Sequence, residues 1–329
     1  MTLALVTGVP GWLGTQLVLH LVEQGRDVRV LSLPGSDMRR IPDSVRVVEG
    51  DLRDPASCGR FVRDGAGGTL FHCAGVIHPG LFTRPFQAVN VRGTHNLIAA
   101  AEREGVGRLV AVSSNSPLGV NPARDHLFDE TAPYNPWMGY GKSKMGMEKA
   151  VMDAGIPWSI IRPPWFYGVG QPARQTLFFE MIRKGKGPIV GDGNNRRSMA
   201  YVDNIVQGLT LCETTPAAEG EVYWIADARP YTMNEIVDTV ESLMRDEFGL
   251  DCDGGRLRLP GVAAEVAVVC DTALQAVGLY HQKVHVLGEM NKTIACTIDK
   301  ARTELGYAPE IALEEGMRRS IAWWLETRA

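Results

Sequence analysis

The chain has 329 residues, which suits one large α/β domain or a core domain with a smaller appendage. Its 45% apolar and 22% charged content is that of a globular chain able to bury a sizeable core, and argues against a disordered or fibrous one. A formal charge of −4, with arginine pairs dispersed at 39–40, 196–197 and 318–319, leaves no footprint for nucleic acid. No apolar run reaches bilayer-spanning length without a charge and no signal segment precedes the first strand, so a cytoplasmic location is expected. The six cysteines (58, 73, 212, 252, 270 and 296) form no C-x-x-C pair and are expected to be buried thiols of a reducing compartment.

The chain opens on the apolar run Leu3-Ala4-Leu5-Val6, followed at once by Thr7-Gly8-Val9-Pro10-Gly11-Trp12-Leu13-Gly14 and a helical pattern over Gly14–Gln24. A short buried strand leading through glycines three apart into a helix prepares a chain to hold a dinucleotide. Gly8 permits the tight turn, Gly11 admits a pyrophosphate without a Cβ in the way, and Gly14 brings the helix close to the strand. A glycine triplet alone also makes an ordinary strand-to-helix turn; its place after the first strand favours the dinucleotide.

Further strands are expected at Val28–Leu33, Val45–Glu49, Leu70–Cys73, Leu109–Ser113 and Trp158–Arg162, with helices at Asn90–Glu104 and Tyr140–Ala154. This alternation predicts right-handed βαβ units and a doubly wound parallel sheet with both faces covered. Beyond Arg162 the rhythm breaks into Gly/Pro-rich loops and mixed elements. Residues 1–162 are therefore expected to form the dinucleotide-binding domain. Residues 163–329 are expected to be mainly a smaller substrate-binding lobe, with about 199–225 returning to the core.

Tyr140 and Lys144 lie one helical turn apart on one face. A phenol near its reference pKa of about 10 is a poor acid–base catalyst at neutral pH, and a neighbouring ammonium with a cationic nicotinamide would favour the phenolate. Alone, the pair reads as a surface tyrosine beside a solvated lysine; together with the glycine turn it reads as a site. Ser113 and Ser114 end a strand at the carboxyl edge of the sheet, where a serine can polarise a substrate oxygen or cap the next turn. His281 and His285 have helical spacing but no accompanying carboxylate motif, and no metal site is expected.

The glycine turn, Ser114, Tyr140 and Lys144 together resemble the extended short-chain dehydrogenase/reductase superfamily, or NAD-dependent epimerase/dehydratases, over essentially the whole chain. That resemblance implies a Rossmann core, Tyr140 as general acid/base, Lys144 lowering its pKa and holding the nicotinamide ribose, and Ser114 polarising the reacting oxygen. It also implies cofactor contacts from Gly8, Gly11, Trp12, Leu13 and Gly14, from Asp51 and Leu52 at the adenine, and from Cys73, Ala74 and Gly75 beside the ring. Asn90 resembles the asparagine that orders the active-site backbone. Where relatives carry an Asp for NAD or an Arg for NADP, this chain has Ser32 and Leu33, which leans to NAD over NADP.

The substrate is weighed by single residues. Asn115-Ser116 stands where dehydratases of the family carry Asp-Glu, so dehydration is not expected. Trp165 occupies the place of an asparagine that contacts sugar nucleotides, and with Phe166 it is expected to form an apolar wall; Ser116 and Arg197 complete the expected substrate contacts. Arg197 aligns with an arginine that grips a nucleotide diphosphate in epimerases, or braces its loop. The apolar segment 262–277 resembles the 3β-hydroxysteroid dehydrogenase-like branch, either as a lid over an apolar pocket or as a helix packed on the core. The expected activity is interconversion of a secondary alcohol and a ketone on a largely apolar small molecule. A nucleotide-sugar epimerase or ketoreductase is the alternative, and a non-catalytic sensor a third. A homodimer is expected across the Asn90–Glu104 and Tyr140–Ala154 helices, with Met138, Met145, Met147 and Met152 as an apolar face; packing within one chain is the alternative.

Overall fold

The structure, a computed structural model, describes residues 2–328. The six expected strands all form, each within one residue of its expected bounds: β1 Ala4–Thr7, β2 Val28–Ser32, β3 Arg46–Glu49, β4 Thr69–His72, β5 Arg108–Val112 and β6 Trp158–Arg162. A seventh, Glu221–Trp224, pairs with β6, and the sheet runs Glu221–Trp224, β6, β5, β4, β1, β2, β3 with every pairing parallel. From β1 the chain winds outward through β2 and β3, then crosses back to β4 on β1's other side. The carboxyl ends of β1 and β4 therefore flank the reversal point where open α/β sheets form a crevice.

The alternation of side chains sorts the strands into two cores. Val6, Val30, Phe71, Val110 and Ile161 face α1 (Trp12–Glu23). Leu5, Leu31, Leu70, Leu109 and Ile160 face the opposite layer. That layer holds α2 (Pro55–Val62), α3 (Thr94–Glu104) and α4 (Met138–Met152). Each such side chain contributes about 1.5–3 kcal/mol on burial, which is why continuous apolar runs appear where only a two-sided strand can use them.

Helix α2 was not expected from periodicity, although its start is signalled: Asp54 accepts from the N–H groups of Ala56 and Ser57 at 3.1 and 3.0 Å, and Pro55 follows it. The helix expected over Asn90–Glu104 begins earlier, as a π-helical turn over Phe86–Gly93 that passes into α3. Farther on, α5 (Ala173–Arg183), α6 (Val202–Thr214) and α7 (Met233–Ser242) follow, and α6 packs beside α1.

The segment 262–277 falls in α8 (Gly261–Ala276), which pairs as a hairpin with α9 (Gln282–Glu289). Helix α8 buries only Ala264, Ala267 and Asp271 and turns Val262, Val266 and Val269 outward. It is a surface helix over the start of α4 rather than a core helix. The expectation of buried thiols needs correction: Cys58, Cys212 and Cys296 are buried, but Cys73 and Cys252 are half-buried and Cys270 is exposed on α8. Met147 likewise leaves the expected outer face, since the i, i+3 spacing from Lys144 carries it into the core. Among the described residues, no helix is long and apolar enough to cross a membrane.

Candidate active site

Gly8 leaves β1 with φ at +85°, and a Cβ there would lie 2.7 Å from the Ala74 nitrogen and the Cys73 carbonyl carbon. A side chain is excluded twice over, by conformation and by the touching β4 loop. Gly11 and Gly14 are equally tight, with a Cβ falling 2.6 and 2.5 Å from the Gly8 carbonyl oxygen. The turn thus delivers the first N–H groups of α1, whose N-cap Gly11 has no side-chain acceptor, into the crevice. Trp12 closes its flank: the indole N–H donates to the Val169 carbonyl at 2.7 Å, and the ring packs on Phe166 at 5.5 Å.

Behind the turn runs a buried hydrogen-bond chain whose direction is determined by its ends. The Ala74 N–H donates to Thr7 Oγ1 at 3.2 Å, and Thr94 Oγ1 donates to the Asn90 carbonyl at 2.8 Å. Between them stands His72, with Nδ1 2.8 Å from Thr7 Oγ1 and Nε2 2.9 Å from Thr94 Oγ1. Thr94 has already used its proton, so Nε2–H must donate to it and Nδ1 must accept from Thr7. Burial pushes His72 down to about 3, with Lys144 adding to the effect, which keeps the ring in this neutral form.

Asn90 ties the same region to α4. Its Oδ1 accepts from the Val76 N–H at 2.7 Å, and its Nδ2 donates to the Val76 carbonyl at 3.0 Å and to Ser143 Oγ at 2.9 Å. Ser143 Oγ in turn donates to the Tyr140 carbonyl at 2.8 Å. The π-helical turn is what sets Asn90 at this depth.

Tyr140, Lys144 and Ser114 come together at the carboxyl end of β5, all nearly buried. The Tyr140 phenol is near Ser114, and its ring shares a small apolar cluster with Phe86, Tyr280, Val76 and Ile77. Ser114 Oγ lies 3.3 Å from Ser116 Oγ and also accepts from the Ser116 N–H at 3.3 Å, so one serine faces the tyrosine and caps its turn. Lys144 Nζ donates to the Val112 carbonyl at 2.7 Å and meets the Met147 sulfur at 3.2 Å. It lies 3.6 Å from where a Gly75 Cβ would stand.

The expected depression of the phenol by Lys144 is not what these surroundings produce. Burial pushes Tyr140 up to about 12, Ser114 opposing and Glu289 adding to the rise. Burial also brings Lys144 down to about 8. The physical reason is desolvation: a cleft dry enough for catalysis disfavours both the phenolate and the ammonium. Desolvation likewise pushes the half-buried Cys73 thiol up to about 12.

Other expected contacts are placed as follows. Leu13 is buried on α1 and Leu52 is buried against Gly93. The Asp51 carboxylate is held by Arg53 Nε at 2.9 Å, and this hydrogen bond keeps it below the usual carboxylate range. Ser32 is buried with its hydroxyl toward Met38 at 3.5 Å, while Leu33 is exposed at the strand end. Trp165 and Phe166 do not share one wall. Successive strand residues face opposite ways, so Trp165 packs on Phe178 at 5.9 Å while Phe166 turns to Trp12. Arg197 joins Trp165, its guanidinium 5.9 Å from the ring centroid; it is buried, its Nε has no acceptor, and it has no ion-pair partner among the described residues.

Sequence reasoning missed a polar cluster on the hairpin. His285 Nδ1 lies 2.7 Å from Asp271 Oδ2 and its Nε2 3.7 Å from Glu289, so a carboxylate partner does accompany this histidine. His78 Nδ1 lies 2.6 Å from the Tyr280 hydroxyl. The signal available was Asp271 itself, a charge on the small-residue face of the helix, seven residues beyond Ala264. Among the described residues, no group of three or more His, Cys, Asp or Glu side chains is arranged to hold a metal ion.

Three known proteins similar to the chain frame this geometry. The uncharacterized protein y4nL of Sinorhizobium fredii is 47% identical over 98% of this chain and 94% of its own length. The 3 beta-hydroxysteroid dehydrogenase/Delta 5-->4-isomerase of Mycobacterium tuberculosis is 29% identical over 98% of this chain and 90% of its own. The crystal structure of UDP-glucose 4-epimerase with UDP-glucose from Thermotoga maritima has a TM-score of 0.76 at 22% identity, covering 100% of both chains, which shows the shared fold. The model of the NAD dependent epimerase/dehydratase family matches residues 4–226, from the first residue of β1 to just past the seventh strand, Ser114, Tyr140 and Lys144 included. By that match the chain belongs to the NAD dependent epimerase/dehydratase family and is an NAD-dependent enzyme of the extended short-chain dehydrogenase type.

Proposed function

We propose that the protein interconverts a secondary alcohol and a ketone on a largely apolar substrate of the 3β-hydroxysteroid or 3-oxo type. One observation carries this reading: the Tyr140 side chain packs in an apolar cluster with Phe86, Tyr280, Val76 and Ile77. Sugar hydroxyls buried against such walls would lose hydrogen bonds to water without replacement.

The residues present fit a dinucleotide. The glycine turn has space only for backbone, and Lys144 has ammonium donors that no carboxylate among the described residues takes. Gly8, Gly11, Trp12, Leu13 and Gly14 would hold the pyrophosphate, Asp51 and Leu52 the adenine side, Cys73, Ala74 and Gly75 the ring side, and Lys144 the nicotinamide ribose. When bound, the nicotinamide supplies or accepts the hydride. The protein's own part is proton handling. Held protonated by burial, Tyr140 is suited to give its proton to a substrate carbonyl oxygen as that oxygen gains charge, and Ser114 hydrogen-bonds to the same oxygen. In the oxidative direction the phenol must first lose that proton, so oxidation rises with pH. We favour NAD over NADP, because the exposed Leu33 offers no clamp for a 2′-phosphate and Arg39 is held by Asp37 at 2.9 Å.

A second reading, a nucleotide-sugar 4-epimerase or ketoreductase, is favoured by the buried Arg197 guanidinium, which has no anionic partner among the described residues. Thermal melting with candidate ligands separates the two. A 3-oxosteroid or long-chain 3-oxo acid, added with NADH, is expected to raise the melting temperature and to be reduced. Millimolar UDP-glucose is expected to leave the melting temperature unchanged. A ligand at a hundred times its Kd adds about 2.7 kcal/mol, so a clear shift with the sugar nucleotide alone reverses the choice.

A further inference from the structure

Helix α4 begins without a cap of its own. Trp137 stands at the N-cap position with no side-chain hydrogen bond to the helix, and Met138 holds φ at +52°, the left-handed region that side chains larger than glycine occupy at a cost. The Trp137 N–H donates to the Ser116 carbonyl at 2.8 Å. The Gly139 N–H, one residue before the catalytic tyrosine, is met from 136 positions away, donating to Gln275 Oε1 at 2.8 Å.

Gln275 belongs to α8, and its amide can face only one way. Its Nε2 donates to Asp271 Oδ2 at 2.9 Å, and a carboxylate oxygen only accepts, so Oε1 is left for Gly139. The same Asp271 oxygen accepts from His285 Nδ1 at 2.7 Å, across the hairpin on α9. Asp271 and His285 are 1% and 6% exposed, so water does not compete for these bonds. An apolar contact runs alongside. Tyr280, between the two helices, packs edge-on against Phe86 at 5.8 Å, and Phe86 packs on the Tyr140 ring at 6.0 Å.

We propose that Gln275 is a positioning residue for Tyr140: the α8–α9 hairpin supplies the acceptor that the first turn of the catalytic helix lacks. Seating of the hairpin and placement of the phenol are then one event. The inference rests on Tyr140 being the acid–base group, as read above. Asp271 orients the amide, and His285 orients Asp271. A cluster that only stapled α8 to α9 would have no use for an amide oxygen turned onto α4.

Two substitutions at Gln275 test this without touching the reacting groups. Q275M keeps the length and removes both hydrogen bonds. Q275E keeps an acceptor for Gly139 but reproduces the donor toward Asp271 only while its carboxyl is protonated. The charged and titratable groups around that position are Asp271 on α8, His285 and Glu289 on α9, Tyr280 and His78 in the adjoining loops, and Tyr140 on α4, with Arg174 of α5 acting on Tyr280 and His78 and Arg197 on Glu289. The carboxylates raise the introduced acid and a charged His285 opposes them.

Hydrogen exchange at Gly139, expressed as a protection factor, is read in the full chain. It is expected to fall about tenfold in Q275M at every pH, and in Q275E to be near wild type at about pH 5 and lost by about pH 8. With NADH and a 3-oxosteroid, kcat follows the same pattern while the KM for NADH stays unchanged. Wild-type protection at Gly139 in Q275M, or protection in Q275E that ignores pH, overturns the proposal. A 3-oxosteroid that no form of the enzyme reduces counts against the proposed substrate alone, because the exchange measurement still decides the role of Gln275.

Discussion

The carboxyl edge of the sheet and the α8–α9 hairpin approach Tyr140 from two sides and are built by opposite means. At the edge, Gly8, Cys73 and Ser114 are placed by backbone. Each follows a strand whose register is set by ladder bonds, Thr7 lying opposite both Leu31 and His72. At the hairpin, placement depends on side chains reaching other side chains: Gln275 to Asp271, His285 to Asp271, His78 to Tyr280. A ladder shares its load over many bonds, whereas a chain of single side-chain bonds opens when any one is lost. Damage on the sheet side should therefore appear as global destabilisation, and damage on the hairpin side as local opening.

Substitutions can break this contrast. Tyr140→Phe removes the group both sides serve; turnover is expected to fall about 10²–10⁴-fold while NADH binding, followed by thermal shift, is unchanged. Substantial residual turnover would contradict the assigned proton transfer.

Arg162→Met strikes the sheet side. Glu148, wholly buried on α4, accepts from Arg162 Nε at 3.0 Å and Nη2 at 2.7 Å. Left without its cation it should cost about 3–5 kcal/mol in chemical denaturation. Intact stability would show that the helix is held to β6 by packing alone.

Asp271→Asn strikes the hairpin and carries a pH signature. Burial pulls the His285 imidazolium down, but the hydrogen bond to Asp271 and the nearby Glu289 outweigh it and raise its proton affinity. A raised histidine contributes stability that is complete below its ordinary value of about 6.5 and is lost as pH rises through the raised value. Limited proteolysis within 261–289 should therefore accelerate with pH in the natural protein. In the Asn variant that pH dependence should weaken, Glu289 alone remaining to raise His285, with a local loss of about 1–3 kcal/mol and little change in global unfolding. A cooperative, whole-protein loss would erase the distinction between the two sides.

The smallest effect is expected at Arg39→Ala. Arg39 and its partner Asp37 are both exposed, so melting temperature and the preference between NAD and NADP should not change measurably.

How far the sequence reached follows the same division. Strands β1 to β6 were legible because each is an apolar run that only a two-faced sheet can bury, and Gly8 because a +85° backbone excludes other residues. Asn90 was legible only through family resemblance; the π-helical turn that sets its depth has no periodic signature. Phe166 was misplaced beside Trp165 because adjacency was read as a shared wall, against the two-residue period of the strand. Spacing reports Lys144 as Tyr140's neighbour on one helix face but is silent about desolvation, which raises the phenol.

Periodicity, turn chemistry and the glycine spacing, all local properties, determined by themselves the parallel sheet, the dinucleotide turn and the presence of Tyr140 and Lys144 on one helix face. Only the tertiary structure decided that Gln275 faces Gly139, that Asp271 and His285 form a buried pair, and that Arg197 is buried with no anionic partner among the described residues. The physical reason is reach. A hydrogen bond between residues 136 positions apart depends on where two helices come to rest, and no pattern along the chain encodes that position before packing creates it.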